Sequence, residues 1–334
     1  LLFGSGCGGF TARRIANAPN RYPKWLAPEA PVALGIDPKA LSYFPSEYVE
    51  VGPPEARLRY RLIRSANYQF QSKSKSWLED EKTKYEFDFE ATVPGRTNEW
   101  SVNPRGTVIL LHGYGVGGFS MLPWGLSLAE AGWNTVLLDL RGHGRSTGKR
   151  IYYGIVETND LSHLLDVLRL RGELRPPVAV VGDSYGASLA LRWAGVEPRV
   201  KSVVAISPYG NLGKAILNIV TQYARWMPKG LIRAGIKKLP ELLGTTPEEL
   251  NMGAVLQRTP VKAFFIAGTA DRTVPLDVVR RLEEASGPGS KLLIVPGAEH
   301  EALPFFHDEL YEPIVHWLEN STNPDAENEP DAGS

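Results

Sequence analysis

Two patterns of apolar spacing divide the chain near residue 107. Before it, apolar and polar positions alternate: Leu58, Tyr60 and Leu62 share one face of a first stretch, and Tyr85, Phe87 and Phe89 one face of a second. Alternation with period two predicts half-exposed antiparallel strands. The charged stretch between them, Gln71 to Lys84, reads as a loop or an irregular hairpin. Beyond residue 107 the apolar runs are short and continuous: 107–111 (TVILL), 135–138 (TVLL), 178–181 (VAVV), 202–206 (SVVAI), 263–266 (AFFI) and 292–295 (LLIV). Runs without alternation predict strands buried on both faces, as in a parallel sheet. Helix-like stretches separate several of them, at Leu122 to Ala131, Glu157 to Leu170, Ala187 to Ala194 and Leu276 to Ala285. The alternation of β and α elements predicts an α/β fold, a mostly parallel, doubly wound sheet with antiparallel N-terminal strands.

The interval between the runs at 202–206 and 263–266 is too long for one crossover helix. It holds Leu212 to Trp226, Leu231 to Leu243 and a capping box, Thr246-Pro247-Glu248-Glu249, with proline at the first helical position. Residues 208–260 therefore read as a helical cap over the sheet, inserted in a core of residues 51–207 and 261–318. Its cations (Lys214, Arg225, Lys229, Arg233, Lys237, Lys238) are expected to form the solvated face of ordinary helices, attraction to an anionic surface being the alternative. Residues 1–50 read as an N-terminal extension, in which residues 10–50, rich in Pro and Ala, form an extended lead-in. The acidic tail, residues 319–334, lacks large apolar side chains and is expected to be disordered.

Composition narrows the function classes. The 334 residues carry 37 Lys and Arg against 37 Asp and Glu, which gives no overall attraction to a polyanion such as nucleic acid. One cysteine, Cys7, rules out an internal disulfide and a cysteine-based metal cluster. No apolar run approaches the roughly 18 residues of a membrane span. The opening Leu1-Leu2-Phe3-Gly4-Ser5-Gly6-Cys7 resembles the end of a bacterial lipoprotein signal, with Cys7 as the lipidated residue, although Gly4 stands where that signal usually carries Leu. On that reading the protein sits at the cell envelope through a lipid anchor. The alternative is a glycine-rich terminus of a cytoplasmic protein.

The chemistry concentrates at strand ends. Gly182-Asp183-Ser184-Tyr185-Gly186 follows an apolar run and leads into a helix-like stretch. A strand turning sharply into a helix at G-x-S-x-G is a nucleophile elbow that lifts the serine hydroxyl toward a substrate. Gly144-Arg145-Ser146-Thr147-Gly148 fits the same pattern but lies several residues past its strand, with Lys149-Arg150 after it. Ligands of open α/β sheets bind at the carboxyl ends of strands. There the sequence places His112-Gly113-Tyr114-Gly115, Ser184, Asp271 and His300. A serine hydroxyl needs a base within reach, and the base an acid to fix its tautomer. Asp139, also at a strand end, is the next candidate acid; Asp271 could instead cap the helix after Pro275. His307 and His316 compete with His300 but fall in the final helical pattern. His112 reads as a turn residue, and Asp183 as tuning the site or bonding the turn. Gly113 to Gly118 also satisfies G-x-G-x-x-G, with Asp139 as a ribose-binding acid, but Pro123 would fall inside the helix that must hold the pyrophosphate.

With these residues the chain resembles the α/β-hydrolase fold superfamily over roughly residues 55–318. The order Ser–Asp–His, the H-G-Y-G segment and the stretch Asp139 to Gly148 (DLRGHGRSTG) carry the resemblance. The last is similar to a turn of capped members such as monoacylglycerol lipases and S33-type peptidases, which assigns Ser146 to structure. The resemblance implies Ser184 as nucleophile, His300 as base and Asp271 as acid. It also implies an oxyanion hole from the backbone N–H groups of Tyr114 and Tyr185. Tyr209, Tyr223 and Trp226 are the candidate pocket residues. The implied activity is cleavage of a small-molecule carboxylic ester through an acyl-enzyme, with no cofactor and no metal. The alternatives are an acyltransferase or peptidase using the same three residues, and a non-catalytic binding module.

Overall fold

The computed structural model describes residues 4–21, 32–36, 38–79, 82–93, 100–101 and 103–322. In chain order it holds α1 (Gly4–Ile15), β1 (Val32–Ile36), β2 (Glu47–Val51), β3 (Ala56–Ile63), β4 (Gln71–Glu79), β5 (Lys82–Glu90) and β6 (Thr107–Leu111). Next come α2 (Leu122–Glu130), β7 (Asn134–Asp139), α3 (Glu157–Leu170), β8 (Val178–Asp183), α4 (Tyr185–Ala194) and β9 (Val200–Ile206). The helices α5 (Leu212–Tyr223), α6 (Lys229–Leu243) and α7 (Met252–Arg258) precede β10 (Phe264–Gly268), α8 (Leu276–Glu284), β11 (Lys291–Val295) and α9 (His307–Thr322).

Eight strands form the main sheet in the order β11-β10-β9-β8-β6-β7-β3-β2. The six from β6 to β11 are parallel, whereas β3 runs antiparallel to β7 and β2 antiparallel to β3. Every residue of β6, β7 and β10 is buried, which accounts for their unbroken apolar runs. One face of the sheet is covered by α3, α4, α7 and α8, the other by α2 and α9. The chain crosses from one side of β6 to the other between β7 and β8. That makes the carboxyl ends of β6 and β8 a topological switch point, where such sheets open a crevice. A separate three-stranded sheet, β1-β5-β4, buries Tyr85, Phe87 and Phe89 against Phe305 and Phe306.

Several local expectations are corrected. The stretch Gln71 to Lys84 is not a loop: β4 pairs regularly with β5 from Gln71↔Glu90 to Glu79↔Lys82. Its side chains from Lys73 to Leu78 are exposed, so no burial period marks the strand. The lead-in is not uniformly extended. Residues 4–15 form a helix that packs on α6, where Gly8 lies against Ala234 and Gly235 against Thr11. Small residues let the two backbones approach, and small residues carry little of the periodicity that reveals a helix. The capping box at Thr246 opens a single turn. Met252 N–H donates to the Gly210 carbonyl and Leu212 N–H to that of Leu250, which holds the chain extended until Asn251 caps α7. The acidic tail is helical as far as Thr322; residues 323–334, where disorder was expected, lie outside the described residues. No helix among the described residues is long and apolar enough to cross a membrane.

Candidate active site

β8 delivers Ser184 to the sheet edge in a conformation few side chains adopt, φ 49° and ψ −104°. A non-glycine residue held there costs on the order of 1–3 kcal/mol, which the surroundings must impose. They do so through glycines. A Cβ on Gly182 would lie 2.4 Å from the Gly186 carbonyl oxygen, and one on Gly186 2.2 Å from that of Leu111. The Ser184 N–H donates to Ile206 O at 2.8 Å, and its carbonyl accepts from Ser188 N–H at 3.1 Å as α4 begins.

The Ser184 hydroxyl lies 2.9 Å from His300 Nε2, and His300 Nδ1 lies 2.7 Å from Asp271 Oδ2. Nδ1 bonded to a carboxylate carries the proton, which leaves Nε2 as acceptor for the hydroxyl. Asp271 does not cap α8, whose N-cap is Pro275 with no side-chain bond; it braces the turn before that helix. Its Oδ1 accepts from Thr273 N–H at 2.9 Å and Val274 N–H at 2.7 Å, while its Oδ2 faces His300. Burial pulls the His300 pKa down, but the hydrogen bond and charge of Asp271, with Asp183 and Glu301 nearby, push it up to about 8.

The other candidates go elsewhere. Asp139 is buried in an ion pair with Arg59 at 2.7 Å and accepts from the N–H groups of Gly118 at 2.7 Å and Arg145 at 2.8 Å. A carboxylate so occupied serves neither a histidine nor a ribose. His112 Nδ1 donates to Gly113 O at 2.7 Å and its Nε2 accepts from Leu140 N–H at 3.0 Å, the turn role expected of it. His307 is stacked between Trp124 and Tyr311, and His316 pairs with Asn320 on α9. Tyr185 occupies the first position of α4, where a backbone N–H has no partner within the helix, and Tyr114 lies in the loop after β6.

Of the pocket candidates, Tyr223 reaches the site: its hydroxyl donates to Glu301, next to His300. Tyr209 is buried and lines a cleft of about 340 Å³ with Asn211, Asn218, Thr273 and Arg281; neither Ser184 nor His300 borders it. Trp226 is 79% exposed. Asp183, half-buried beside Ser184, keeps its Oδ1 buried and unpartnered, and desolvation pushes its carboxyl up to about 7.

Sequence reasoning missed Ser207. It directly follows β9, is fully buried, and holds φ at 50°. Its hydroxyl donates to Asp271 Oδ2 and lies 3.3 Å from His300 Nδ1. A serine directly after a buried strand, at the same edge as the other three, was the available signal. Among the described residues, no group of three or more His, Cys, Asp or Glu side chains is arranged to hold a metal ion.

The chain is similar in sequence and in fold to known proteins. The family described as serine aminopeptidase, S33, matches residues 102–255. The Bacillus subtilis protein YqkD is 26% identical over 196 residues, 58% of this chain and 64% of its own length. Protein phosphatase methylesterase 1 of Mus musculus is 30% identical over 130 residues, 36% of this chain and 32% of its own. The chain thus spans under two thirds of the first relative and about a third of the second. The esterase Pf2001 of Pyrococcus furiosus has the same fold, with a TM-score of 0.61 at 22% identity, covering 86% of this chain and 96% of that one. The chain has the α/β-hydrolase fold.

Proposed function

We propose that the protein is a serine hydrolase that cleaves carboxylic esters through an acyl-Ser184 intermediate. The observation that carries this reading is the hydrogen-bonded chain from Ser184 through His300 to Asp271 at the sheet edge. Attack on the ester carbonyl moves the hydroxyl proton to Nε2. The imidazolium then returns it to the departing alkoxide, and water repeats the sequence to free the acid. The Tyr114 and Tyr185 amides would stabilise the oxyanion, each such donor being typically worth about 10²–10³ in rate. Because the base must be neutral, kcat/KM should rise with pH through a midpoint at about 8. The helices of residues 208–260 act as a cap, with Tyr223 at the acyl entrance.

A panel of p-nitrophenyl esters of increasing acyl length, run beside aminoacyl amides and a serine-directed phosphonate, tests the reading. Labelling of Ser184 together with ester turnover is expected. Labelling with turnover of amides alone would move the protein to the peptidase reading favoured by the S33 match. Transfer to an added alcohol in preference to water would make it an acyltransferase. Cys7, the candidate lipid-attachment point, is tested separately by the mass of protein purified from envelopes.

A further inference from the structure

Two segments far apart in sequence meet where α1 packs on α6. Neither α1 nor residues 208–240 contain a single Asp or Glu, in a chain with as many acids as bases. They carry Arg13 and Arg14 in the first and six Lys or Arg in the second. On α6, Lys229, Arg233 and Lys237 fall four residues apart and are all exposed, while Ile232, Gly235 and Leu239 on the opposite side are buried. Residues spaced by four share one helix face, so the three cations form a stripe. Lys238 pairs with Glu241, the first carboxylate after the segment.

Large apolar side chains are exposed on the same two segments. Trp226, three residues before the stripe, is 79% exposed, and Phe10 on α1 is 61% exposed with the Arg14 guanidinium over its ring at 5.3 Å. Tyr223 links this surface to the site through Glu301. A protein folding only for itself has no use for a tryptophan in water beside a row of cations. At a lipid headgroup layer both are favourable: the indole is amphipathic, and each cation near an anionic leaflet gains about 1 kcal/mol, or roughly five-fold in binding.

We propose that the face formed by α1 and α6, with Trp226 at its edge, docks the protein on an anionic lipid surface. Nucleic acid would meet the same charge but gives the exposed apolar rings no apolar layer to enter. Docking stands independently of the hydrolase reading. Joined to it, docking would hold the Tyr223 side of the site next to lipid and point to esters that reside in the membrane.

The test is sedimentation of the full, unacylated chain with phosphatidylcholine vesicles with and without phosphatidylglycerol. Partition onto the anionic vesicles should be about ten-fold stronger or more, and should weaken in high salt. The triple variant Lys229→Glu/Arg233→Glu/Lys237→Glu should lose about ten-fold or more of that partition. A control carrying Lys201→Glu/Arg280→Glu/Lys291→Glu, all exposed elsewhere, should lose much less. Trp226→Ala should weaken binding to anionic vesicles several-fold at any salt. Circular dichroism of each preparation, with turnover of a soluble ester for the two triple variants, separates lost docking from lost fold. If the parent chain hydrolyses no ester yet binds as described, the hydrolase reading fails and docking stands. The proposal is overturned by equal partition onto neutral vesicles, by no partition onto either kind, or by equal losses in the two triple variants. Capture of single-stranded RNA without vesicle binding overturns it as well.

Discussion

The chain contains the same five-residue pattern twice, and the two copies are built for opposite ends. At Gly182–Gly186 the glycines have ordinary backbone angles but no room for a side chain, and the strain falls on the serine, at φ 49°. At Gly144–Gly148 the glycines take the positive angles, φ 52° and 122°, and the serine is relaxed. Ser184 offers its hydroxyl to an imidazole. Ser146 uses its hydroxyl up, donating to the Asp139 carbonyl at 2.6 Å and accepting from Arg59 N–H at 2.8 Å. Spacing of residue types therefore does not define a nucleophile; where the turn puts its strain, and whether the hydroxyl is free, does.

The sharpest break between the two copies is a pair of alanine variants. Ser184→Ala should lower kcat by about 10⁴-fold or more while leaving the melting temperature near that of the parent. Ser146→Ala should keep kcat per folded molecule but lose about 1–3 kcal/mol of stability in urea, because the buried Arg59 N–H is left unpaired. Retained ester turnover in Ser184→Ala would dismiss the elbow. The two aspartates extend the contrast. Asp271→Asn should cost about 10³–10⁴ in kcat. Asp139→Asn should act on stability, by about 3 kcal/mol, by breaking a buried pair with Arg59. The reverse outcome would give the acid's role to Asp139.

Ser207 is the next largest effect. Its hydroxyl donates to the same Asp271 oxygen that faces His300 and so helps to fix the carboxylate. Hydrogen bonds to a charged group are worth about 1.5–3 kcal/mol, so Ser207→Ala should reduce kcat about ten-fold or more with little change in KM. Without this donor the carboxylate keeps more of its charge for His300, and the midpoint of the pH profile should move above its value of about 8. A loss of activity with an unmoved profile would reduce Ser207 to a packing role.

What the sequence disclosed, and what it hid, follows the same division. Strands buried on both faces announce themselves, so the order of β6 to β11 and the residues just past β6, β8, β10 and β11 were legible. Single polar side chains at one sheet edge were legible because topology alone brings them together. Ser207 was overlooked because its partners come from the loops after β10 and β11 rather than from its own neighbourhood. β4 was hidden because both its faces meet solvent, and α1 because it packs through Gly8 and Thr11 rather than through large apolar residues. The saturation of Asp139 is three-dimensional, drawing on β3, the loop after β6 and the turn at Arg145.

Acidification separates the two copies as well. His143, inside the Gly144 turn, donates from Nδ1 to Arg141 O at 2.9 Å, leaves Nε2 buried without a partner, and stacks on Tyr185. Burial, reinforced by His112, pushes its pKa down from 6.5 to about 3. Its unfolded state therefore takes up a proton first, and stability complete above pH 6.5 is lost as pH falls toward 3. By pH 5 the loss is about 2 kcal/mol from this one imidazole. His300 has the opposite sign: with its pKa raised to about 8, its stabilisation is present below pH 6.5 and lost as pH rises through 8. Melting temperatures of the parent and of His143→Phe between pH 7.5 and 5 measure the difference. The variant should start lower, having lost the bond to Arg141 O, yet fall less steeply on acidification. Parallel slopes would mean that His143 becomes protonated without cost in the folded protein, and that the second turn is less closed than its hydrogen bonds make it.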